Sequence, residues 1–170
     1  DGGGVYTWDG TGETVYYNRV INGNIITNAI GAKFGCENYL SIPYEDARGI
    51  YLDGASMNVN VTNNSIANCV GSGFYYNNVT NVNTSGNTIY NAFKAIYFAR
   101  FPNGPLLRNN ATNNNILFPL QSNQGSIFYW NGDLNTPTTT DIQSDLRAIG
   151  SFDNNYYRND VPYPFDYYYH

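Results

Sequence analysis

Two aspartates follow similar strand-like segments and have the residue type and position for acid–base chemistry. Asp9 ends Val-Tyr-Thr-Trp-Asp, Asp53 ends Ile-Tyr-Leu-Asp, and a glycine follows each. If the two segments stack one residue out of step, the carboxyl groups lie about 5–9 Å apart, a range that includes the separations of retaining and inverting glycosidases. Arg48 or Arg100 could then steady an acidic sugar. Alternatively, both aspartates are turn residues at strand ends, since Asp-Gly is a common turn pair.

Aromatic residues that recur at one position of similar segments predict a second kind of site. The first set is Tyr6, Tyr51, Tyr75, Tyr97 and Phe128, and the neighbouring set is Trp8, Asp53, Asn77, Ala99 and Trp130. An outward strip of such rings would pack on the C–H faces of sugars, while phenol and indole tips donate hydrogen bonds. The same rings could instead form a stack that stabilises only the fold, worth ~0.5–1.5 kcal/mol per pair beyond buried area.

An internal repeat positions these residues. Its clearest copy is Gly-Ile-Tyr-Leu-Asp-Gly at 49–54, followed by Asn-Val-Asn-Val-Thr-Asn-Asn-Ser-Ile at 58–66. Related segments occupy 4–26, 73–89, 95–116 and 126–130, and 154–157 closes a fifth copy. Alternation with period two predicts strands, and the Asn and Gly clusters predict turns. No segment shows a helical period with caps.

The spacing between equivalent positions varies from copy to copy. Ile50 to Phe74 is 24 residues, Phe74 to Ile96 is 22, and Ile96 to Ile127 is 31. A constant strand pattern with connections of variable length is typical of a solenoid, because each turn tolerates its own insertion. The sequence therefore predicts an all-β parallel β-helix of about five coils.

Stacking predicts columns of equivalent residues about 4.8 Å apart. Two inward columns are predicted. The first contains Ile50, Phe74, Ile96 and Ile127, and the second contains Leu52, Tyr76, Phe98 and Tyr129. One predicted asparagine ladder is Asn24, Asn64, Asn87, Asn114 and Asn155, and a second is Asn28, Asn68 and Asn91. Stacked amides can hydrogen-bond along the axis; alternatively, these asparagines are only turn residues.

Length and composition indicate one domain over residues 1–170. An insertion at 31–48 contains Glu45 and Asp46, and a polar excursion with an aromatic tail occupies 131–170, where we expect the tail to plug one end. The net charge of −5 with eight Lys and Arg argues against a nucleic-acid partner. No run of 18 apolar residues occurs, so we expect no membrane span. The first coil has no covering segment, and we expect a partner chain or an upstream segment to cover it.

The two cysteines and the single histidine limit which disulfides, catalytic triads and metal sites the chain can form. Cys69 shares a column with small residues and is predicted to be a core residue, whereas Cys36 lies in the insertion, and spacing alone cannot support a disulfide between them. The single histidine, His170, is terminal, which excludes histidine triads and histidine-rich metal sites. We therefore expect no metal site. Asn-x-Ser/Thr sequons for N-glycosylation begin at Asn60, Asn63, Asn78, Asn83 and Asn110. They are weak evidence of glycosylation, because a chain rich in Asn and Thr forms such sequons by chance.

The motif at 49–54, the Asn-x-Ile turns and the closing Gly-Ser-Phe-Asp-Asn-Asn-Tyr-Tyr at 150–157 resemble a known family. The chain is similar, over residues 4–160, to bacterial secreted right-handed parallel β-helix proteins of the pectin-lyase-like superfold. This resemblance implies a right-handed helix, an extracellular or cell-surface location, and a chain that is the C-terminal part of a longer helix. Relatives often show a second aspartate where this chain has Gly54, which departs from their paired-carboxylate pattern.

Three classes of function stay open after the sequence. Relatives commonly act on polysaccharides as lyases or glycoside hydrolases, which would make Asp53, Asp9 and Arg48 catalytic and, for a lyase, imply Ca²⁺ held by carboxylates. A glycan-binding module would use the seven aromatic residues, which are Tyr6, Tyr51, Tyr75, Tyr97, Phe128, Trp8 and Trp130. A structural surface or filament module would stack its open ends on partner chains. Fold alone does not choose among these classes.

Overall fold

A computed structural model of the chain describes residues 2–10, 16–31, 47–102, 107–132, 139–158 and 165–169. Most of these residues lie in strands: β1 Gly2–Trp8, β2 Arg19–Asn22, β3 Ile25–Thr27, β4 Ala47–Asp53, β5 Met57–Thr62, β6 Ser65–Asn77, β7 Thr80–Ser85, β8 Thr88–Arg100, β9 Asn110–Asn113, β10 Ile116–Phe118, β11 Gly125–Asn131, β12 Gly150–Asp153, β13 Tyr156–Tyr157 and β14 Phe165–Tyr169. One helix, α1, spans Thr139–Ile149. The protein is therefore an all-β protein, as the alternating pattern predicts.

The strands pair in parallel and form two sheets. The nine-stranded sheet follows the order β1-β4-β6-β8-β10-β13, with β3 on β6 and β11 between β8 and β14. The five-stranded sheet follows the order β12-β9-β7-β5-β2. The long strands β6 and β8 each pair with different neighbours along their two halves, so they connect two sets of strands within the larger sheet.

The strand register agrees with the predicted repeat. Ile50 lies opposite Phe74, Phe74 opposite Ile96, and Ile96 opposite Ile127. The differences in repeat length therefore fall mostly in the connections, apart from a one-residue irregularity within β6 between Cys69 and Ser72. The predicted inward residues are all at most 1% exposed: Ile50, Leu52, Phe74, Tyr76, Ile96, Phe98, Ile127 and Tyr129. Valines of the smaller sheet belong to the same core: Val59, Val61 and Val82.

Two glycines bring the strands close to core isoleucines. A Cβ atom on Gly49 would lie 2.8 Å from Cγ2 of Ile66, and one on Gly73 would lie 2.5 Å from Cγ2 of Ile89. Real Cβ atoms do not approach other heavy atoms so closely, so glycine is required by close packing at these positions. The missing side chains thus let strands β4 and β6 lie directly against the core isoleucines.

A buried ladder of asparagine amides connects five repeats. Asn24 Nδ2 donates to Asn64 Oδ1, Asn64 Nδ2 to Asn87 Oδ1, Asn87 Nδ2 to Asn115 Oδ1, and Asn115 Nδ2 to Asn155 Oδ1, each at 2.9 Å. We call these five residues the inner ladder. In its middle, Asn64, Asn87 and Asn115 are each 1% exposed, so these hydrogen bonds satisfy amides that water cannot reach.

The inner ladder corrects one predicted member, because Asn115 and not Asn114 occupies the fourth position. Ile116 lies opposite Thr88, which sets Asn115 beside Asn87. Asn114 instead takes the position before the ladder residue, where φ is positive (56°) and the side chain is exposed. Asparagine is among the few residues that tolerate this left-handed backbone. The run of three asparagines at 113–115 hides the register when the sequence is read alone.

The second predicted ladder is present on the surface. Asn68 Nδ2 donates to Asn28 Oδ1 at 3.3 Å, and Asn91 Nδ2 donates to Asn68 Oδ1 at 2.8 Å. Gln124 Nε2 extends it to Asn91 Oδ1 at 2.9 Å. We call Asn28, Asn68 and Asn91 the outer ladder. All three have left-handed φ angles of 52–60°, so the same residues make the turn and the ladder.

The structure differs from the predicted organisation in the insertion at 31–48 and in the polar excursion at 131–170. Helix α1 lies within the predicted polar excursion. The sequence did not predict it, because its apolar residues are too sparse to show a helical period. Ile149, at the end of the helix, is fully buried. Strand β4 begins at Ala47, so Arg48 belongs to a strand and not to the insertion. The rest of that insertion, with Glu45, Asp46 and Cys36, lies outside the described residues.

The end of the chain and the described cysteine complete the fold. Backbone pairing joins β14 to β11 in parallel, so this part of the aromatic tail adds a strand instead of plugging the end. Cys69 is a free thiol and is 3% exposed, as the prediction of a core residue requires. Burial raises the pKa of this thiol to about 11, which keeps it protonated and unreactive at neutral pH.

Candidate functional site

The predicted column of aromatic rings is present on the outer side of the larger sheet. Neighbouring ring centroids along Tyr6, Tyr51, Tyr75, Tyr97 and Phe128 are 4.7–5.1 Å apart, and the rings cross at 77–89°. This edge-to-face geometry directs the positive edge of each ring at the negative face of the next. We call these five residues the aromatic column.

The aromatic column is not a continuous exposed strip. Tyr51 and Tyr75 are each only 5% exposed, whereas Tyr6 is 51% exposed. Arg48 packs over the two buried rings, with its guanidinium carbon 4.9 Å from the centroid of Tyr51 and 4.0 Å from that of Tyr75. Tyr51 and Tyr75 therefore offer almost no exposed ring surface on which a sugar could stack.

Lys94 makes equivalent contacts farther along the column. Its Nζ lies 4.6 Å from the centroid of Tyr97 and 4.1 Å from that of Phe128. Cations above aromatic faces are attracted by the ring quadrupole, most strongly where water is excluded. Lys94 was not among the predicted site residues. The sequence carries a signal for it, because Arg48, Ser72 and Lys94 each lie three positions before a tyrosine of the column.

The neighbouring row runs from Trp8 through Asp53, Asn77 and Ala99 to Trp130, as predicted, and we call it the tryptophan row. Trp8 lies opposite Asp53, Asn77 opposite Ala99, and Ala99 opposite Trp130. Large rings stand at its two ends and short side chains in its middle.

Both ends of the tryptophan row present aromatic surface. Trp8 is 66% exposed and covers Gly54, where a Cβ atom would lie about 2 Å from the indole. At the other end, Trp130 packs edge-to-face on Phe101, with centroids 4.7 Å apart, and Phe101 is 42% exposed. Phe101 lies just beyond β8 and was not among the predicted site residues.

Asp53 accepts hydrogen bonds from three directions in the middle of the row. Its carboxylate accepts from Asn77 Nδ2 at 2.6 Å, from Tyr6 Oη at 2.8 Å and from the Gly54 backbone N–H at 2.8 Å. Desolvation and the hydrogen bond to Asp53 raise the pKa of Tyr6, and desolvation followed by the charge of Asp53 raises that of Tyr51. The carboxylate is thus fixed in place and the phenols around it stay protonated.

Asp9 does not join Asp53. The register places Trp8, not Asp9, opposite Asp53, so the one-residue slip that would pair the carboxylates is absent. The Asp9 carboxylate instead accepts two hydrogen bonds from Arg19, at 2.6 and 2.5 Å, and one from the Met57 backbone N–H at 3.2 Å. Asp9, with its side chain 3% exposed, forms a partly buried ion pair at the start of the smaller sheet with Arg19, whose side chain is 22% exposed.

The described residues form neither a metal-ligand cluster nor a membrane-spanning helix. Nowhere in the described ranges do three or more His, Cys, Asp or Glu residues come together as metal ligands could. No helix in the same ranges is both long and apolar enough to cross a bilayer.

Comparison with known proteins returned nothing: no protein-family model matches the chain, and no curated protein or solved structure shows significant similarity to it.

Proposed function

We propose that this chain is an extracellular, right-handed parallel β-helix of about five coils that binds a polysaccharide along the tryptophan row. The fold part of the proposal is supported by the parallel strand register, the two asparagine ladders and the connections of variable length. Resemblance of the repeat motif to secreted β-helix proteins supports the right hand and the location.

One observation carries the binding proposal: exposed aromatic rings stand at both ends of a row whose middle is polar. Trp8 at one end and Phe101, packed on Trp130, at the other offer flat apolar faces for sugar rings. Between them, Asp53 and Asn77 offer a carboxylate and an amide for sugar hydroxyls. Five strand positions about 4.8 Å apart make the row about 19 Å long, which suits an elongated ligand.

Cleavage is supported less well than binding. A pair of carboxylates on either side of the scissile bond is the usual requirement of glycoside hydrolysis, but the Asp9 side chain is 3% exposed and is held by Arg19. Arg48, the third residue proposed for catalysis, is 8% exposed and lies against the aromatic column. Asp53 is the one described residue of the three that stands within the tryptophan row.

We expect Trp8→Ala and Trp130→Ala each to weaken glycan binding by about 1 kcal/mol, or about fivefold in Kd, because each removes a stacking surface. Affinity electrophoresis over acidic and neutral polysaccharides identifies the ligand, and titration calorimetry with that ligand measures the change. Tyr17→Ala is the matched control, since Tyr17 is 72% exposed and lies outside the row. Circular dichroism checks that each variant is folded.

The same experiment separates binding from catalysis. Asp53→Asn keeps the shape of the side chain but removes its charge and its capacity for proton transfer. If products of cleavage appear with the native chain and vanish with this variant while affinity persists, the chain is an enzyme. If no polysaccharide is retarded, or if Tyr17→Ala weakens binding as much as Trp8→Ala does, the binding proposal is rejected.

A structural module that stacks on a partner chain is the second candidate. Val5 and Ile26 continue the columns of Ile50 and Ile66, yet they are only half-buried, while those two residues are fully buried. Among the described residues, β1 pairs with β4 alone, so one of its edges is unpaired there. An unpaired strand beside accessible core residues is a template for association.

For this candidate we expect the chain to associate with increasing concentration, and Val5→Lys to shift it toward monomer. An inward-pointing charge at a sheet edge opposes pairing, because pairing would bury it. Val20→Lys adds the same charge on the outer side of β2, where Val20 is 61% exposed, and should leave association unchanged. Light scattering at several concentrations measures both, and a monodisperse monomer throughout would exclude the stacking role.

A further inference from the structure

Three polar residues that precede the aromatic column lie side by side on adjacent strands. Ser72 on β6 lies opposite Lys94 on β8. Ile50 on β4 lies opposite Phe74 on β6. Because Arg48 and Ser72 each come two residues before this pair, Arg48 lies beside Ser72 on the side away from Lys94. A hydroxyl therefore stands between a guanidinium and an ammonium group.

These residues line a cavity of about 200 Å³, which we call the corner pocket. Its other walls are Gly71, Tyr75, Phe93 and Tyr97. The pocket is distinct from the tryptophan row, because the aromatic column lies between them. None of the described residues that line it carries a carboxylate.

The Ser72 hydroxyl is an unsatisfied group in the wall of this pocket. The residue is 2% exposed, and its Oγ has no hydrogen-bond partner among the described residues. Buried polar atoms are nearly always paired, and those that are not commonly indicate a missing ligand or ion. The strand pairing of β6 is irregular between Cys69 and Ser72, so the backbone departs from regular geometry next to this residue.

The two cations are held in place by the rings around them. The guanidinium of Arg48 lies 4.0 Å from the centroid of Tyr75, and Nζ of Lys94 lies 4.6 Å from that of Tyr97. These cation–π contacts hold both charged groups beside the pocket. A guanidinium, an ammonium and a hydroxyl around one small cavity are the donors that an oxyanion requires.

We propose that the corner pocket binds an oxyanion group, either a carboxylate, a sulfate or a phosphate. Arg48 and Lys94 supply the positive charge, and the Ser72 hydroxyl donates a hydrogen bond to one anionic oxygen. The group is either a free small anion or an acidic substituent carried by a larger molecule. This proposal stands on residues that the tryptophan row does not use, so it can hold when glycan binding there fails.

Titration calorimetry of the complete chain with sodium sulfate, sodium phosphate and sodium acetate tests the pocket, with sodium chloride at matched ionic strength as the reference. We expect saturable binding of at least one of the three anions. Lys94→Gln should weaken it at least tenfold, because it removes a charge, and Ser72→Ala about threefold, because it removes one donor. Arg147→Gln removes an equal charge from an exposed position on α1 and should leave the Kd within twofold.

A second arm identifies the source of the anion. A sulfated or uronic-acid oligosaccharide is compared with its neutral counterpart, in the native chain and in Lys94→Gln. If the native chain prefers the acidic oligosaccharide and Lys94→Gln loses that preference, the pocket binds an acidic substituent. If only the small anions bind, the pocket binds a free anion. No saturable binding of any anion, or an equal loss in Arg147→Gln and Lys94→Gln, would overturn the proposal. Near-ultraviolet circular dichroism confirms that the aromatic column is intact in each variant.

Discussion

Replacing Asn87 by alanine is expected to lower the free energy of unfolding by about 3 kcal/mol, because several buried groups lose their partners at once. The Asn87 amide donates to Asn115 Oδ1 and to the Val61 carbonyl, and its oxygen accepts from both the backbone N–H and the Nδ2 of Asn64. With Asn87 only 1% exposed, water cannot replace these bonds without opening the core. Denaturant unfolding followed by circular dichroism measures the change.

Asn60→Ala is the matched control for this variant. Asn60 is exposed and accepts a single hydrogen bond, from Asn83 Nδ2 at 3.3 Å. We expect its replacement to change stability by no more than about 0.5 kcal/mol, as is usual at surface positions. Equal unfolding midpoints for the two variants would mean that the inner ladder contributes no more to stability than a surface amide does.

The second large effect is expected at Gly73, where alanine should cost about 2–3 kcal/mol through overpacking. Its Cβ atom would lie 2.5 Å from Cγ2 of Ile89 and 2.8 Å from the carbonyl oxygen of Ala95. The isoleucine is fully buried and the second contact is with backbone, so neither neighbour can move away cheaply.

Gly125→Ala gives the comparison for Gly73. Gly125 also lies in a strand, β11, but a Cβ atom there would meet nothing within 4 Å. Alanine should therefore be neutral or slightly stabilising, because it restricts the unfolded chain without a clash. If thermal unfolding shows the same shift for both variants, close packing is not the reason for glycine at position 73.

Much of the fold could be predicted from sequence, because the repeat carries its own register. Alternation placed Ile50 and Leu52 inward, and the spacing from Phe74 to Ile96 to Ile127 matched the strand pairs despite unequal connections. Periodicity of this kind needs only the two faces of a strand, which the side-chain pattern reports directly. Local pattern was less reliable where two registers fit, as at Asn114 and Asn115.

The candidate site was less predictable, because exposure depends on neighbours that alternation does not reveal. Tyr51 and Tyr75 point outward as predicted, yet Arg48 lies across them and they are buried. The position of Asp9 was likewise decided by Arg19, a residue of the other sheet. Ser72 and Lys94 were not predicted as site residues. They occupy the same position of the repeat, but a hydroxyl and an ammonium group are chemically different, so the shared position does not show as a motif.

The inner ladder also gives the molecule a direction. Each amide donates toward the later repeat and accepts from the earlier one, from Asn24 to Asn155, so the side-chain dipoles all point the same way. The two ends of the ladder are therefore chemically different: Asn24 ends it with an amide oxygen, whereas Asn155 ends it with an amide nitrogen that donates to the Thr112 carbonyl and to Tyr157 Oη. A second copy that continued the ladder would have to present its donor end to this acceptor end. Such contacts are heterologous, so two-fold symmetry is excluded for them, and copies would join head to tail into a ring if the rotation closes and into a filament if it does not.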